Sequence, residues 1–249
     1  MKMLELDVIE AAAFARPEKL RGRAVVIIDV VRTSTMVVVA LHNGCREVVP
    51  LLTVEETWER ARRYSAGSFL TGGEREAKKI PGFDLDNSPR AYTPEVAAGR
   101  TVLLTTSNGT RALRKAAEAS RVFIGGMVNA SAVARKLAEL VEKEGEELAG
   151  ITLFCAGTDN RLSLDDFCCA GKLVDLLGKV LPERLLPTDP AVAAREIYRA
   201  YRGRLLDLLV ESEVYRTVKR LGLEEDLELC LKEDVYDLVP RREGDGLVG

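Results

Sequence analysis

Six short runs rich in Val, Ile and Leu constrain this chain most: Ala24–Asp29, Glu47–Leu51, Ser68–Thr71, Thr101–Thr106, Arg121–Gly125 and Ile151–Cys155. None alternates cleanly between apolar and polar residues. A strand with one wet face alternates, so these runs predict strands buried on both faces of a largely parallel or mixed sheet. Parallel strands need long crossovers, and helical segments stand between the runs. Thr53-Val54-Glu55-Glu56 is a capping box that opens a helix through Ala61. Ser131–Glu144 sets Val133, Leu137, Leu140 and Val141 on one face. A helix from Ser163 to Leu181 follows, then one opened by Asp189-Pro190 and running to Val210, then Ser212–Leu221 with its stop at Gly222. Met36–Leu41 has the valines of a strand but sits between a polar turn and Asn43-Gly44, so a helix is expected there. The alternation predicts an α/β fold of three layers, α/β/α, as a single unit. Any division into two intimate lobes would fall near residues 115–125.

Composition removes several functions. The net charge is -3, so nothing pulls the chain generally toward nucleic acid or an anionic membrane. No apolar run approaches the roughly 18 residues of a membrane helix. Glu5, Asp7 and Glu10 interrupt any signal-peptide core, so a cytoplasmic protein is expected. The 5 cysteines form no CxxC pair, which fits a reduced chain better than a disulfide framework. There is no glutamine, and asparagine is scarce, as in heat-adapted proteins that shed labile amides. The single histidine, His42, lies just before Asn43-Gly44, where it complements a helix C-terminus. One histidine argues against a His-based triad or a His-rich metal cluster.

In an α/β sheet the binding crevice lies beyond the carboxyl ends of the strands. After the first run come Asp29, Arg32, Thr33 and Ser34, a carboxylate, an arginine and hydroxyls at an expected helix N-terminus. Such a set suits a phosphate and metal cradle, with an ordinary capped turn as the alternative. Gly73-Glu74-Arg75 follows the third run, and a loop holding Asn87 comes after it. Ser107-Asn108-Gly109-Thr110-Arg111 follows the fourth run, a second anion cradle or else an N-cap turn. Asn129 follows the fifth. Asp165 and Asp166 open the helix after the sixth, and neighbours on a helix point apart, so one at most is expected to face the site. Carboxylates suit a hard cation such as Mg2+, and arginines suit phosphate or sulfonate. The expected ligand is therefore a small, doubly anionic molecule. Leucines 205, 206, 208 and 209 fit either core packing or a homodimer interface.

These stretches together resemble the 2-phosphosulfolactate phosphatase family: VIIDVVRTST (26–35), Gly73–Arg75 with GFDLDNSP (82–89), TTSNGTRAL (105–113), Val128–Ala130 and CAGTDNRLSLDDFCCAG (155–171). The resemblance implies a three-layer α/β fold and Mg2+-dependent hydrolysis of 2-phosphosulfolactate to sulfolactate and phosphate, a step of coenzyme M synthesis. Laid on those motifs, Asp29, Arg32 and Asp166 are expected to be catalytic, and Asp29, Glu74 and Asp166 to hold Mg2+. Thr33, Ser34, Arg75, Asn87, Asn108, Gly109, Thr110, Arg111 and Asn129 are expected to bind substrate.

Overall fold

The computed structural model describes residues 2–249. All six apolar runs are strands within a larger set: β1 (Leu4–Ile9), β2 (Ala24–Ile28), β3 (Glu47–Pro50), β4 (Phe69–Arg75), β5 (Lys78–Lys79), β6 (Thr101–Thr105), β7 (Arg121–Gly125), β8 (Ile151–Cys155), β9 (Leu185–Pro187), β10 (Arg241–Glu243) and β11 (Gly246–Val248). They form one 11-stranded sheet in the order β5-β4-β6-β3-β11-β10-β7-β2-β8-β1-β9.

Around the sheet lie α1 (Pro17–Leu20), α2 (Thr35–His42), α3 (Val54–Ala61), α4 (Pro94–Ala97), α5 (Gly109–Lys115) and α6 (Ala130–Glu144). The rest are α7 (Leu164–Val180), α8 (Asp189–Tyr201), α9 (Leu205–Leu209), α10 (Glu213–Leu221) and α11 (Glu224–Cys230). Among the described residues, no helix is long and apolar enough to cross a membrane.

β2 shows why its sequence does not alternate. Ala24, Val26 and Ile28 belong to one core with Val133 of α6 and Leu173 of α7. Val25 and Ile27 belong to a second core, with Met36 and Val37 of α2. Both faces of the sheet are covered, so every β2 side chain is apolar. The α2 segment is a helix despite its valines, since seven of its eight residues are buried and packing outweighs propensity. Thr53 caps α3 as expected, its Oγ1 accepting from Glu56 N–H at 3.1 Å. Glu56 reaches back to Leu52 N–H at 2.8 Å.

The helix expected to run to Val210 breaks after Tyr201. Gly203 adopts φ 75°, a left-handed conformation that an α-helix cannot contain, and α9 begins two residues later. Leu205 and Leu209 are buried in the first core, whereas Leu206 stays 47% exposed.

Two blocks of the sheet are parallel. β7, β2, β8, β1 and β9 form one; β3, β6 and β4 form the other. The C-terminal hairpin joins them with antiparallel pairings, Arg241 opposite Phe123 of β7 and Leu247 opposite Val48 of β3. Leu247 is fully buried in the second core. Leu247→Ala should therefore cost about 2–5 kcal/mol of unfolding free energy, the range for truncating a buried leucine. Urea denaturation followed by circular dichroism checks this; a loss of about 0.5 kcal/mol or less, the size of a surface change, would show that the hairpin is dispensable.

Candidate functional site

Two pairs of parallel strands, β2 with β8 and β4 with β6, deliver their carboxyl ends to one cleft. Asp29 follows β2, Glu74 lies near the end of β4, Ser107 and Asn108 follow β6, and Thr158 and Asp159 follow β8. The cleft holds about 630 Å³. Its position is the one that α/β topology favours for ligands.

The turn after β2 is built by carboxylates. Asp29 Oδ1 accepts from Thr33 N–H at 3.2 Å, and Asp29 N–H donates to Ser34 Oγ at 2.9 Å. Ser34 N–H donates to the Asp29 carbonyl at 2.7 Å. From α7, Asp166 Oδ1 accepts from Val30 N–H at 2.7 Å and Asp165 Oδ2 from Val31 N–H at 3.2 Å. Asp166 Oδ2 also takes Gly157 N–H at 3.0 Å, tying the turns after β2 and β8 together. Both acids thus point at the same turn, contrary to the expectation that one at most would. Each lies in the first helical turn, beside the turn that needs its oxygens. The amides expected to cradle an anion are therefore already occupied.

Burial raises the Asp29 pKa to about 6, with the Asp165 and Glu74 carboxylates adding to it and hydrogen bonds from Thr33 opposing it. Asp166 is pushed well above the usual carboxylate range by burial and by its neighbours Asp165 and Asp29. Among the described residues, no cation is within ion-pair distance of Asp29, Asp165 or Asp166.

Glu74 is buried at the cleft edge, its oxygens accepting from Ser107 N–H at 2.7 Å and Ala77 N–H at 2.8 Å. Asn87, also buried, lines the same cleft, and its amide oxygen has no hydrogen-bond partner. Gly109 packs against Asp29: a Cβ there would stand 2.8 Å from Asp29 Oδ2 and 2.8 Å from Thr33 Cγ2. Thr33 and Asn108 line the cleft.

Several expected site residues lie elsewhere or serve the scaffold. Among the described residues no three His, Cys, Asp or Glu side chains are grouped to hold a metal, so the Asp29, Glu74 and Asp166 triad does not form. Asp166 is spent on backbone amides. Arg75 is exposed and turns to its own carbonyl neighbour Glu74 and to the Leu52 carbonyl at 2.9 Å. Arg111 is exposed and outside the cleft lining. Thr110 bonds back to the Thr106 carbonyl at 2.7 Å, stabilising the start of α5. Asn129 is fully buried and donates to the Leu238 carbonyl at 2.9 Å, holding the segment before β10. Ser34 is a strut of the Asp29 turn rather than a cleft-lining group.

Arg32 lines the cleft and is 4% exposed. It pairs with Asp226 of α11 at 2.8 Å and donates to the Ala77 carbonyl at 3.1 Å. Asp226 also accepts from Ser88 Oγ at 2.6 Å. A buried arginine held this way keeps some of its five N–H groups for a ligand in a fixed orientation. Asp226, Arg216 and Arg220 belong to no motif in the sequence. The amphipathic pattern of α10 marks Arg216 and Arg220 only as one helical face.

A reading of the sequence that counts the Cys-X5-Arg signature of cysteine phosphatases as absent is wrong, because Cys155 and Arg161 stand at that spacing. The structure assigns that chemistry no place here. Cys155 is fully buried, and burial with Asp166 nearby drives its thiol well above the ordinary range. The amides that should cradle a phosphate point elsewhere: Gly157 N–H to Asp166, and Thr158 and Arg161 to each other. Arg161 is exposed and paired with Glu213 at 3.1 Å.

The chain is an α/β protein whose sheet-end cleft combines buried carboxylates, an orphaned amide oxygen and arginines. The family model described as 2-phosphosulpholactate phosphatase matches residues 12–245. A Clostridium beijerinckii protein named "Probable 2-phosphosulfolactate phosphatase" is 40% identical over 95% of this chain and 96% of its own. A protein of the same name from Symbiobacterium thermophilum is 43% identical over 90% of this chain and 92% of its own. This chain belongs to the 2-phosphosulpholactate phosphatase family.

Two measurements test this geometry. Gly109→Ala should destabilise the protein by about 1–3 kcal/mol through overpacking, and a double variant with Asp29→Ala should lose less than the sum of the two single losses. Strict additivity in urea denaturation would mean that the two residues do not press on each other. All five cysteines are buried and free. Ellman's reagent should accordingly find no reactive thiol in the native protein and every one after denaturation. A native thiol that reacts within minutes would contradict the buried placement of Cys155.

Proposed function

We propose that this chain is a Mg2+-dependent phosphoric monoester hydrolase acting on 2-phosphosulfolactate, releasing sulfolactate and phosphate. The family and the printed names of the relatives support the substrate. One observation carries the metal: the unpartnered amide oxygen of Asn87 lines the same cleft as two buried carboxylates that have no cation beside them. Mg2+ takes hard oxygen ligands and often only one or two carboxylates, leaving its remaining positions to water and substrate phosphate. Asp29, Glu74 and Asn87 fit that donor set and would hold the ion. Mg2+ bound there would polarise the phosphoryl group and offset its developing charge.

The chain's own groups divide the remaining tasks. Thr33 N–H fixes the Asp29 carboxylate through Oδ1, leaving Oδ2 toward Gly109. Asp226 and the Ala77 carbonyl fix the Arg32 plane, so its remaining N–H groups meet a phosphoryl oxygen without reorganisation. Thr33 and Asn108 add hydroxyl and amide donors at the cleft wall. By the family resemblance the step belongs to coenzyme M synthesis, in a cytoplasmic enzyme.

Phosphate release from 2-phosphosulfolactate, with Mg2+ and with EDTA, is the test. Release should need Mg2+ and return when the ion is restored. Asp29→Asn should lower kcat by about a hundredfold or more, the scale of removing one electrostatic stabiliser. Release that is indifferent to EDTA would remove Mg2+ from the proposal. A folded protein that releases nothing from any phosphate ester would remove the hydrolase itself.

A further inference from the structure

An anion entering this cleft must find cations, and the expected strand-end arginines do not supply them. Arg75 and Arg111 lie outside the cleft lining, and Arg32 is already paired with Asp226. Two other arginines line it: Arg216 and Arg220 of α10.

α10 is built to present them. Ser212 caps it by accepting from Tyr215 N–H at 3.1 Å, and Gly222 closes it at φ 68°, a left-handed C-cap. Val218 is buried in the first core, with Val214 and Tyr215 packed beside it. This anchors one side of the helix. Arg216 and Arg220 are four residues apart, so both project from one face. The N-terminal end is tied down by the Arg161–Glu213 pair.

The state of the two guanidinium groups is informative. Arg216 makes one hydrogen bond, to the Glu211 carbonyl at 2.6 Å. Arg220 makes none to the described residues, and neither arginine is within ion-pair distance of an acid. Yet both line a cleft that Asp29 and Glu74 also line. Opposite charges share one space without meeting, and the space between them is of ligand size. A molecule with two anionic ends satisfies both: its phosphoryl group lies at the Asp29, Glu74 and Arg32 end, and its second oxyanion reaches the helix.

We propose that Arg216 and Arg220 bind the non-transferring oxyanion of the substrate, the sulfonate, and so set the preference for a sulfonated over an unsulfonated phosphate ester. The proposal rests on the phosphatase reading of the cleft. Two guanidinium forks present several N–H donors to the three sulfonate oxygens, whereas a methyl in their place leaves those donors without a partner. Water takes the place of the lost partner at these exposed side chains, so the discrimination is that of charge-assisted bonds to an anion over hydrated donors.

The test compares wild type, Arg216→Ala, Arg220→Ala and Arg220→Lys on 2-phosphosulfolactate and 2-phospholactate, which differ in the sulfonate. Both side chains are exposed, so thermal melts should match wild type. Each alanine variant should lower the ratio of kcat/KM values, sulfonated over unsulfonated, by about tenfold or more, mostly through KM, with Arg220→Lys between. An unchanged ratio would overturn the proposal, as would an equal loss on both esters. Sulfolactate binding, measured calorimetrically, separates the two claims. If wild type hydrolyses neither ester but binds sulfolactate, and Arg220→Ala weakens that binding about tenfold, the phosphatase reading fails and the anion site stands. If the binding is the same in wild type and Arg220→Ala, the anion site fails whatever the turnover.

Discussion

Asp166 holds the site together. Its carboxylate takes the Val30 amide with one oxygen and the Gly157 amide with the other, so the turns after β2 and β8 are fastened to one side chain of α7. Without it, two backbone N–H groups would be left unpaired in a fully buried region, at a cost of about 1–3 kcal/mol each. The fastening is expensive in another sense, because a charge is buried with Asp165 and Asp29 close by. Two strong amide donors offset part of that, and no cation helps. The outcome is a turn that sets the buried Asp29 in the wall of the cleft, with its pKa raised to about 6. Asp29 owes its orientation to Thr33, and the turn owes its shape to α7.

This arrangement explains how much of the site was legible in the sequence. Asp29, Arg32, Thr33, Glu74, Asn87 and Asn108 line the cleft, and each follows or ends an apolar run that reads as a strand. The rule that crevices lie at strand carboxyl ends finds residues of that kind. It cannot tell which of them face the crevice. Thr110, Asn129 and Ser34 occupy similar positions with similar chemistry, but their hydrogen bonds go to backbone groups of the scaffold. Polar residues near a turn have orphaned backbone groups within reach, and satisfying those competes with binding a ligand. Only the three-dimensional partners reveal which demand won.

The fold was legible for the same physical reason and incomplete for another. The β2, β7 and β8 runs are buried on both faces, so they are continuous apolar segments that the eye finds. β1 alternates as Leu4-Glu5-Leu6-Asp7-Val8, buried only on one side, and its acids read as interruptions. The closing hairpin is harder still. β10 is Arg-Arg-Glu and β11 Gly-Leu-Val, three residues each, and their role comes from position, between two parallel blocks that lie far from them in sequence. Leu247 alone shows the burial that makes it part of the core.

The cations of the cleft follow a division of labour that sequence motifs do not carry. Strand ends and the turns they feed are pinned by the sheet, which suits groups that must hold still, such as Asp29 and Glu74. Helices that follow the last parallel strand are free of sheet register. α11 sends Asp226 down to orient Arg32, and α10 lays Arg216 and Arg220 along the cleft. Recognition groups on a separate helix can change with the ligand while the turn that carries Asp29 keeps its geometry. The buried Arg32–Asp226 pair is the link between the two regions: removing either partner would strand a charge in the interior, a penalty of about 3–5 kcal/mol for such pairs. That penalty keeps α11, and α10 beside it, seated over the cleft. Asp29 and the arginines that greet the ligand therefore come from opposite ends of the chain, and Arg32 is where they meet.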